Sequence, residues 1–289
     1  MQLKCPFWQQ AAIKIVQLIP KRAWGWLSNL LAKLLVASNI QRVKIARVNI
    51  YLCIKPCELI LKQNLANSIY SIFELLTYNC NNLPQTNILS QKNFLQALNN
   101  KQGVLLVHPH TLSMNLAGAI ICSYVCAHSN KKFGYIYRPA KNEKSNNILQ
   151  YFRYILGPQA HWFQAKDTKA CIRFLRSGGI LMTFPDHDLG KERSVFSDFC
   201  NIQTATCPAF AKMAILGQAT CLPIMLYKQN NKFVFKDQKP INLNQTEQQL
   251  ADWLNTWVEN FVLSHPTQYF WLHKRFKTRP NQKNEHLYY

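Results

Sequence analysis

The sequence predicts an α/β fold in which a mixed β-sheet is flanked by helices and preceded by an N-terminal amphipathic helix lying in a membrane interface. Three observations lead to this prediction. Hydrophobic residues make up 48% of the 289-residue chain, which is enough to bury a sizeable core. Short apolar segments alternate with helical patterns from residue 103 onward, as in α/β proteins. Leucines recur at helical spacing near the N-terminus.

Residues 21–38 have the pattern of the amphipathic helix. Pro20 stands at its first turn, where the missing N–H group costs nothing. Trp24 and Trp26 lie near its start and basic side chains flank its apolar face, as in helices that lie in a membrane interface. Packing of the same face against the domain core is the alternative. The apolar face consists of Leu27, Leu30, Leu31, Leu34 and Leu35.

The end of this helix divides the chain into a membrane-docking segment, residues 1–40, and a main domain, residues 41–289. No stretch of roughly 20 residues is free of charge, because Lys33 interrupts the most apolar one, so no transmembrane helix is predicted. The N-terminus also lacks the small-residue cleavage site of a signal peptide. We therefore expect the main domain to lie in the cytoplasm.

The main domain begins with a helical stretch over residues 58–78 and a polar loop over residues 79–87. The segments that follow alternate between strand and helix patterns, which favours a largely buried sheet. Strands are predicted at 103–107, 133–138, 179–184, 221–227 and 232–236, and helices at 111–127, 145–156, 167–176, 206–216 and 246–263.

The charge of the chain is strongly positive. Lys and Arg total 34 against 13 Asp and Glu, a formal net charge of +21. Such an excess favours a polyanionic partner, which is a nucleic acid, an anionic membrane or a phosphorylated substrate. A compositional bias toward Lys, Asn and Gln explains part of the excess without any partner.

The 10 cysteines are scattered and form no CxxC pair. The closest, Cys53 with Cys57 and Cys122 with Cys126, are four residues apart, whereas zinc sites favour tighter ligand pairs. We interpret the cysteines as reduced, buried thiols of a cytosol-facing protein. A metal site or a disulfide is the alternative.

The motif VHPHTLSMNLAG, residues 107–118, is the strongest chemical signal. A buried strand ends here and His110 follows at the turn into a helix, where the sheet edge holds the side chain while substrate can still reach it. We therefore consider His110 a candidate general base. His108 is interpreted as an ordinary polar residue of the same turn, with a second base as the alternative.

Several segments together resemble the late lipid A biosynthesis acyltransferase family of bacteria. His110 lies where that family has its histidine, and the acidic residue that follows five positions later is replaced by Asn115. YRPAKN (137–142) and PDHDLG (185–190) resemble two further family blocks. The segment QYFWLHKRFKTRP (268–280) is the most specific match, and the resemblance covers about residues 19–280.

The resemblance implies roles for individual residues. His110 is the base and Asn115 orients it, accepting the ring N–H group without supplying a charge. Arg153 and Asp186 match family positions that matter for activity. Arginine suits phosphate or carboxylate groups because its planar fork binds two oxygens at once. The residues expected to bind substrate are Arg138, His187, Asp188, Lys274 and Arg275. No metal is expected, and a metal site over residues 186–188 is the less favoured interpretation.

The resemblance also implies a glycerolphosphate-acyltransferase-like fold and a reaction. A fatty acyl chain passes from acyl carrier protein to a hydroxyl of a phosphorylated lipid A precursor, at the cytoplasmic face of the inner membrane, with peripheral attachment and no cofactor. Three alternatives stay open. One is a silenced relative that binds lipid, suggested by Asn115. Another is an acyltransferase for a different membrane lipid. The third, a nucleic-acid-binding module, rests on charge alone, and we expect no nucleic acid partner because no binding motif is present.

Overall fold

The computed structural model describes residues 7–38, 40–140, 142–230, 232–280 and 287–288. The first six residues of the predicted docking segment, which include Cys5, lie outside this set. In the described chain four helices precede the sheet: α1 (Phe7–Leu18), α2 (Lys21–Ala37), α3 (Gln41–Cys53) and α4 (Glu58–Thr77).

Helix α2 packs against α4, and Leu35 of its leucine stripe packs against the hydrophobic core. Trp24, Ser28 and Ala32 are buried, and the Trp24 ring lies 5.8 Å from Tyr70 and 5.9 Å from Phe73. The expectation that Trp24 contacts the membrane is therefore wrong, because α4 covers it. Two leucines of the stripe, Leu30 and Leu34, are exposed, as is Trp26. The other three, Leu27, Leu31 and Leu35, are half-buried.

The main sheet has seven strands in the described chain: β1 (Thr86–Ser90), β2 (Val104–Val107), β3 (Phe133–Tyr137), β4 (His161–Gln164), β5 (Ile180–Thr183), β8 (Thr220–Gln229) and β9 (Lys232–Asp237). Their order across the sheet is β1-β9-β8-β2-β5-β3-β4. Strands β8, β2, β5, β3 and β4 run parallel, β9 is antiparallel to β8, and β1 is parallel to β9. The predicted α/β class and mixed sheet are thus confirmed.

Helices cover both faces of this sheet. Successive side chains of a strand point to opposite faces, and here they belong to two different hydrophobic clusters. Leu105 and Val107 of β2 pack with one set of helices, and Val104 and Leu106 with the other. The first set is α8 (Thr168–Arg176), α9 (Ala209–Leu216) and α10 (Glu247–Ser264), and the second is α5 (Lys92–Asn99), α6 (Met114–His128) and α7 (Glu143–Leu156).

A two-stranded antiparallel ribbon of β6 (Val195–Phe199) and β7 (Ile202–Thr206) packs beside α10. A short 3₁₀ turn, Lys191–Arg193, precedes it. The helix predicted from residue 206 begins three residues later, because Thr206 ends β7 and Pro208 precedes the first turn of α9.

The sheet strands that the sequence did not predict are β1 and β4, which form the two edges of the sheet. Their sequences, TNILS and HWFQ, are short and mix polar with apolar residues. An edge strand has only one neighbour and is partly exposed, so it carries a weak apolar pattern. The helices α1, α3 and α5 and the ribbon strands were also not predicted.

One disulfide joins Cys53, at the end of α3, to Cys200, in the turn of the β6–β7 ribbon. The interpretation that every cysteine is a reduced thiol is wrong for this pair. Its partners are 147 residues apart and meet only through the tertiary fold. The other described cysteines, Cys57, Cys80, Cys122, Cys126, Cys171, Cys207 and Cys221, are free thiols.

None of the helices in the described ranges combines the length and the apolar character that crossing a membrane requires.

Candidate active site

A cavity of about 800 Å³ opens where the parallel strands end. Because β2, β5, β3 and β4 run parallel, their carboxyl ends meet at one edge of the sheet, the usual place for a site in an open α/β fold. Residues just past each of these strands line the cavity, among them His110, Phe184, Arg138 and Ala165. Helices α6, α7 and α9 contribute the side walls.

The His110 ring is held by Asp186. Nδ1 of His110 lies 2.6 Å from Oδ1 of Asp186, and the backbone N–H of His110 donates to the same carboxylate, with N···O distances of 3.0 and 3.2 Å. The hydroxyl of Tyr269 donates to Oδ2 at 2.9 Å. Because Nδ1 of the neutral ring donates to Asp186, Nε2 carries the lone pair and is available to a group in the cavity.

Asp186 is fully ionised in this setting. Burial alone raises the pKa of a carboxyl group, and Asp186 is 1% exposed. The electrostatic interaction with His110 and the hydrogen bonds that His110 donates outweigh this effect and hold the pKa of Asp186 well below its ordinary value. A negative charge therefore stands behind His110 throughout the neutral pH range.

The C-terminal segment reaches the site by pairing with the turn after β2. The backbone N–H of Leu112 donates to the carbonyl of Gln268 at 2.9 Å, and that of Phe270 donates to the carbonyl of His110 at 2.9 Å. These bonds bring Tyr269 to Asp186. Sequence reasoning missed Tyr269, although it lies in the segment with the most specific family match.

His108 supports the turn from the interior. Its Nδ1–H donates to the carbonyl of Pro109 at 2.6 Å, and its Nε2 accepts the N–H of Leu226 at 3.0 Å. Burial lowers the pKa of His108 to about 4, so the ring stays neutral. Both nitrogens have partners, which agrees with the interpretation of His108 as a turn residue and disfavours a second base.

Asn115 does not orient His110. It is exposed in the first turn of α6 and lines the cavity, and within the described structure the His110 ring bonds to Asp186 instead. The sequence suggested Asn115 because it stands at the family's acidic position. The structure assigns the orienting role to Asp186, which is 76 residues from His110 in sequence.

Arg153 presents a cation to the cavity. Its guanidinium lies 4.2 Å from the centre of the Tyr137 ring and 5.6 Å from that of Trp162, so two aromatic faces hold it. Burial lowers the pKa of Arg153, and its Nη1 is buried without a hydrogen-bond partner in the described structure. Arg138 also lines the cavity and is exposed. Both positions suit an anionic group of a substrate.

The five residues expected to bind substrate divide between the cavity and other places. Arg138 and His187 line the cavity, with the His187 ring stacked on His110 at 3.5 Å. Asp188 accepts the backbone N–H groups of Gly190 at 2.9 Å and Thr278 at 2.7 Å, which fastens its loop to the C-terminal segment. Lys274 is half-buried, with its ammonium 5.8 Å from the centre of the Tyr288 ring.

Arg275 lies in the interior and not on the cavity wall, so the structure gives its predicted role in substrate binding no support. It is 1% exposed. Its Nη1 donates to the carbonyl of Ala205 at 2.9 Å, and its Nη2 to Thr206 at 3.0 Å and to Asn255 at 2.7 Å. Arg275 thus joins the ribbon to α10, because β7 and α10 surround it. The excess of basic residues in the segment from His273 to Arg279 did not distinguish this buried cation from exposed ones.

Within the described ranges, no group of three or more His, Cys, Asp or Glu side chains is arranged to hold a metal ion.

Comparison with known proteins connects this site to one family. The sequence profile described as bacterial lipid A biosynthesis acyltransferase matches residues 5–278. A lipid A biosynthesis acyltransferase of Haemophilus influenzae is 27% identical over 263 residues, which cover 86% of this chain and 81% of that protein. The lipid A biosynthesis lauroyltransferase of Escherichia coli K12 is 28% identical over 209 residues, 68% of this chain. The myristoyltransferase of the same strain is 26% identical over 184 residues, 62% of this chain. These matches span 63% and 55% of the two Escherichia coli proteins, less than two thirds of their length.

Proposed function

This chain belongs to the bacterial lipid A biosynthesis acyltransferase family, and on that premise we propose that it moves a fatty acyl chain from acyl carrier protein to a hydroxyl of a phosphorylated lipid A precursor, with His110 as general base. One observation carries the mechanism. The imidazole of His110 is bonded to Asp186 at Nδ1 and lines the cavity.

The proton has a complete path in this arrangement. Nε2 of His110 takes the proton of the acceptor hydroxyl as its oxygen attacks the thioester carbonyl of the donor. The resulting imidazolium is stabilised by the carboxylate of Asp186 at 2.6 Å. When the carbon–sulfur bond breaks, the imidazolium returns the proton to the thiolate of the carrier. The products are the ester and the free thiol, and His110 is neutral again.

The cavity walls suit the two ends of the substrates. Apolar side chains from α7 and the strand ends offer a surface for an acyl chain. Arg138 and Arg153 offer cations for phosphate groups of the acceptor or of the carrier's prosthetic group. The apolar wall includes Leu75, Tyr135, Leu149, Phe152, Leu156 and Trp162.

The exposed face of α2 supports peripheral docking on the cytoplasmic face of the inner membrane. Trp26 is 69% and Leu34 is 62% exposed, and Lys21 and Lys33 are exposed beside them. An apolar surface rimmed with cations binds anionic bilayers. Trp26→Asp with Leu34→Asp should reduce co-sedimentation with anionic vesicles, whereas Leu263→Asp on α10 should not. Equal sedimentation of both variants would contradict docking through α2.

The reaction is tested by mass spectrometry with purified protein, acyl carrier protein charged with different chains, and a tetra-acylated precursor. Wild type should add one acyl chain. His110→Ala should lower turnover by at least about 100-fold, the contribution of a general base. His161→Ala serves as the matched control, because this histidine is exposed on β4 outside the cavity lining.

The alternatives predict different results in the same assay. A silenced relative gives no product from any donor yet still binds the precursor. An enzyme for another lipid transfers acyl chains only when a different acceptor is supplied. Turnover that survives His110→Ala would show that another group is the base.

A further inference from the structure

A second imidazole lies flat against His110. The ring centres of His110 and His187 are 3.5 Å apart and their planes differ by 7°. The ring of His273 lies 4.2 Å from that of His187 on a tilted plane, and Nδ1–H of His273 donates to the carbonyl of Phe270 at 2.8 Å. His187 is thus held between the base and a ring that is itself anchored.

We infer that His187 is a positioning residue that keeps the His110 ring in its reactive plane and offers an uncharged aromatic face to the imidazolium that His110 becomes. This inference rests on the proposed function, because it assigns His187 a part in the same proton transfer. An aromatic face next to a cation stabilises it, most strongly where water is excluded.

Such a face works only if His187 is itself neutral. Nε2 of His187 is buried without a hydrogen-bond partner in the described structure, so a proton there would be poorly solvated. Burial lowers the pKa of His187, and so do His110, His273 and, more weakly, Arg275, while Asp186 opposes them. Burial also lowers the pKa of His273, to about 3. Both rings beside His110 therefore remain uncharged at neutral pH.

The loop that carries His187 is fixed on both sides of it. Asp186 is bound by His110 and Tyr269, and Asp188 accepts N–H groups from Gly190 and Thr278. The position of the ring therefore follows from its neighbours along the chain. This is the rigid support that a positioning residue needs to hold a catalytic group in place.

Three substitutions separate the possible roles of His187. His187→Leu fills the space without a ring, His187→Asn keeps a nitrogen near Nδ1 without a ring, and His187→Phe keeps a ring without nitrogens. The Leu and Asn variants should lose about tenfold in kcat, the order expected for an aromatic–cation contact, with KM within about twofold. The Phe variant should stay within about threefold of wild type.

The matched control is His128→Leu. His128 stacks on Tyr124 at 4.1 Å, is exposed, and lies outside the cavity, so its loss should leave kcat unchanged. Thermal unfolding identifies the variants that fold. If the Phe variant fails to fold, the kcat values of the Leu and Asn variants test the inference. Leucine and asparagine are smaller than histidine or close to it in size, so they fit the same space.

The outcomes distinguish this inference from the proposed function. Leu and Asn variants with wild-type kcat overturn the inference, and so does a folded Phe variant as slow as the Leu variant, since a ring nitrogen would then be required. If wild type turns over, His110→Ala does not, and the His187 variants are unchanged, only this inference fails. If wild type transfers no acyl group from any donor, the proposed function fails and the inference with it.

Discussion

Two clusters of buried polar side chains lie at opposite ends of the C-terminal segment from Tyr269 to Arg275. The cavity cluster, His110 with Asp186, His187 and Tyr269, lies at the carboxyl end of the parallel strands. The interior cluster, Arg275 with Thr206 and Asn255, joins the β6–β7 ribbon to α10. Each cluster contains a charged group removed from water, yet they differ in what surrounds it.

The interior cluster is closed. None of its three residues lines the cavity. The two terminal nitrogens of Arg275 donate to protein acceptors, its Nε is buried without a hydrogen-bond partner in the described structure, and the Phe199 ring lies 5.0 Å from the guanidinium carbon. The cavity cluster is open, because Nε2 of His110 has no partner in the described chain and the ring lines the cavity. Both clusters contain polar and charged side chains, so residue type alone does not distinguish a structural residue from a catalytic one. What distinguishes them is whether an atom without a hydrogen-bond partner can be reached from the cavity.

The largest expected effect tests the closed cluster. Arg275→Ala removes the donor to the Ala205 carbonyl and leaves the buried oxygens of Thr206 and Asn255 with only each other as side-chain donors. We expect the free energy of unfolding to fall by at least about 3 kcal/mol, measured by urea denaturation. Arg275→Lys keeps the charge but cannot reach all acceptors, so its loss should be smaller. A loss below about 1 kcal/mol with reduced substrate affinity would instead favour a binding role for Arg275.

For Arg153 we expect a large effect on activity and a small effect on stability, because this residue lines the cavity and its Nη1 has no hydrogen-bond partner in the described structure. Arg153→Ala should lower kcat/KM by about 30-fold, the size of a lost hydrogen bond to a charged substrate group. The free energy of unfolding should fall by only about 1 kcal/mol, from lost stacking on Tyr137 and Trp162. Steady-state kinetics with urea denaturation measures both. An unchanged kcat/KM would make Arg153 a structural cation like Arg275.

His108 extends the comparison to pH, because both of its nitrogens have protein partners. The pKa of His108 is about 4 in the folded protein and 6.5 in the unfolded chain. Between these two pH values the imidazole is protonated in the unfolded state but not in the folded state. This part of the stability is complete above pH 6.5 and declines as the pH falls toward 4. We expect His108 to account for about 2 kcal/mol of the stability lost between pH 7 and pH 5. His187 and His273, whose pKa values are also lowered, add losses that wild type and a His108 variant share.

The measurement for His108 is urea denaturation at the two pH values, with His108→Asn as the comparison. The variant is less stable at pH 7 but should lose less on acidification. Asp186 does not interfere, since its lowered pKa makes its contribution decline only below its ordinary value of 3.8. Equal pH dependence of wild type and variant would show that His108 is not the group responsible.

The smallest expected effect is at Asn115. Because Asp186 already bonds to the ring of His110, Asn115→Glu adds a charge without a contact to the base. Turnover should change by less than about threefold, below 0.7 kcal/mol by the conversion of rate to free energy. A tenfold gain would show instead that a carboxylate at position 115 stabilises the imidazolium.

The elements that the sequence predicted best are those with a recognisable pattern of apolar or capping residues within the element itself. Strand β2, with four buried residues in VLLV, and helix α10, with its capping box at Thr246 and Gln249, are readable from neighbours a few positions apart. The edge strands β1 and β4 were missed, because their burial depends on one distant neighbour. The leucine stripe of α2 was recognised, but only the packing of α4 decided which face it presents.

The amino-acid sequence was enough to predict the α/β class and the excess of positive charge from composition and local spacing, and His110 from its place at the end of a strand. The family followed from the resemblance of its motifs to those of known proteins. Only the tertiary structure decided the partner of His110, the stacking of His187, the burial of Arg275 and the pairing of Cys53 with Cys200. Each of these depends on residues far apart in the chain. Asp186 reaches His110 because β2 and β5 are parallel neighbours whose carboxyl ends meet, and strand order is a property of the folded sheet that no local pattern encodes.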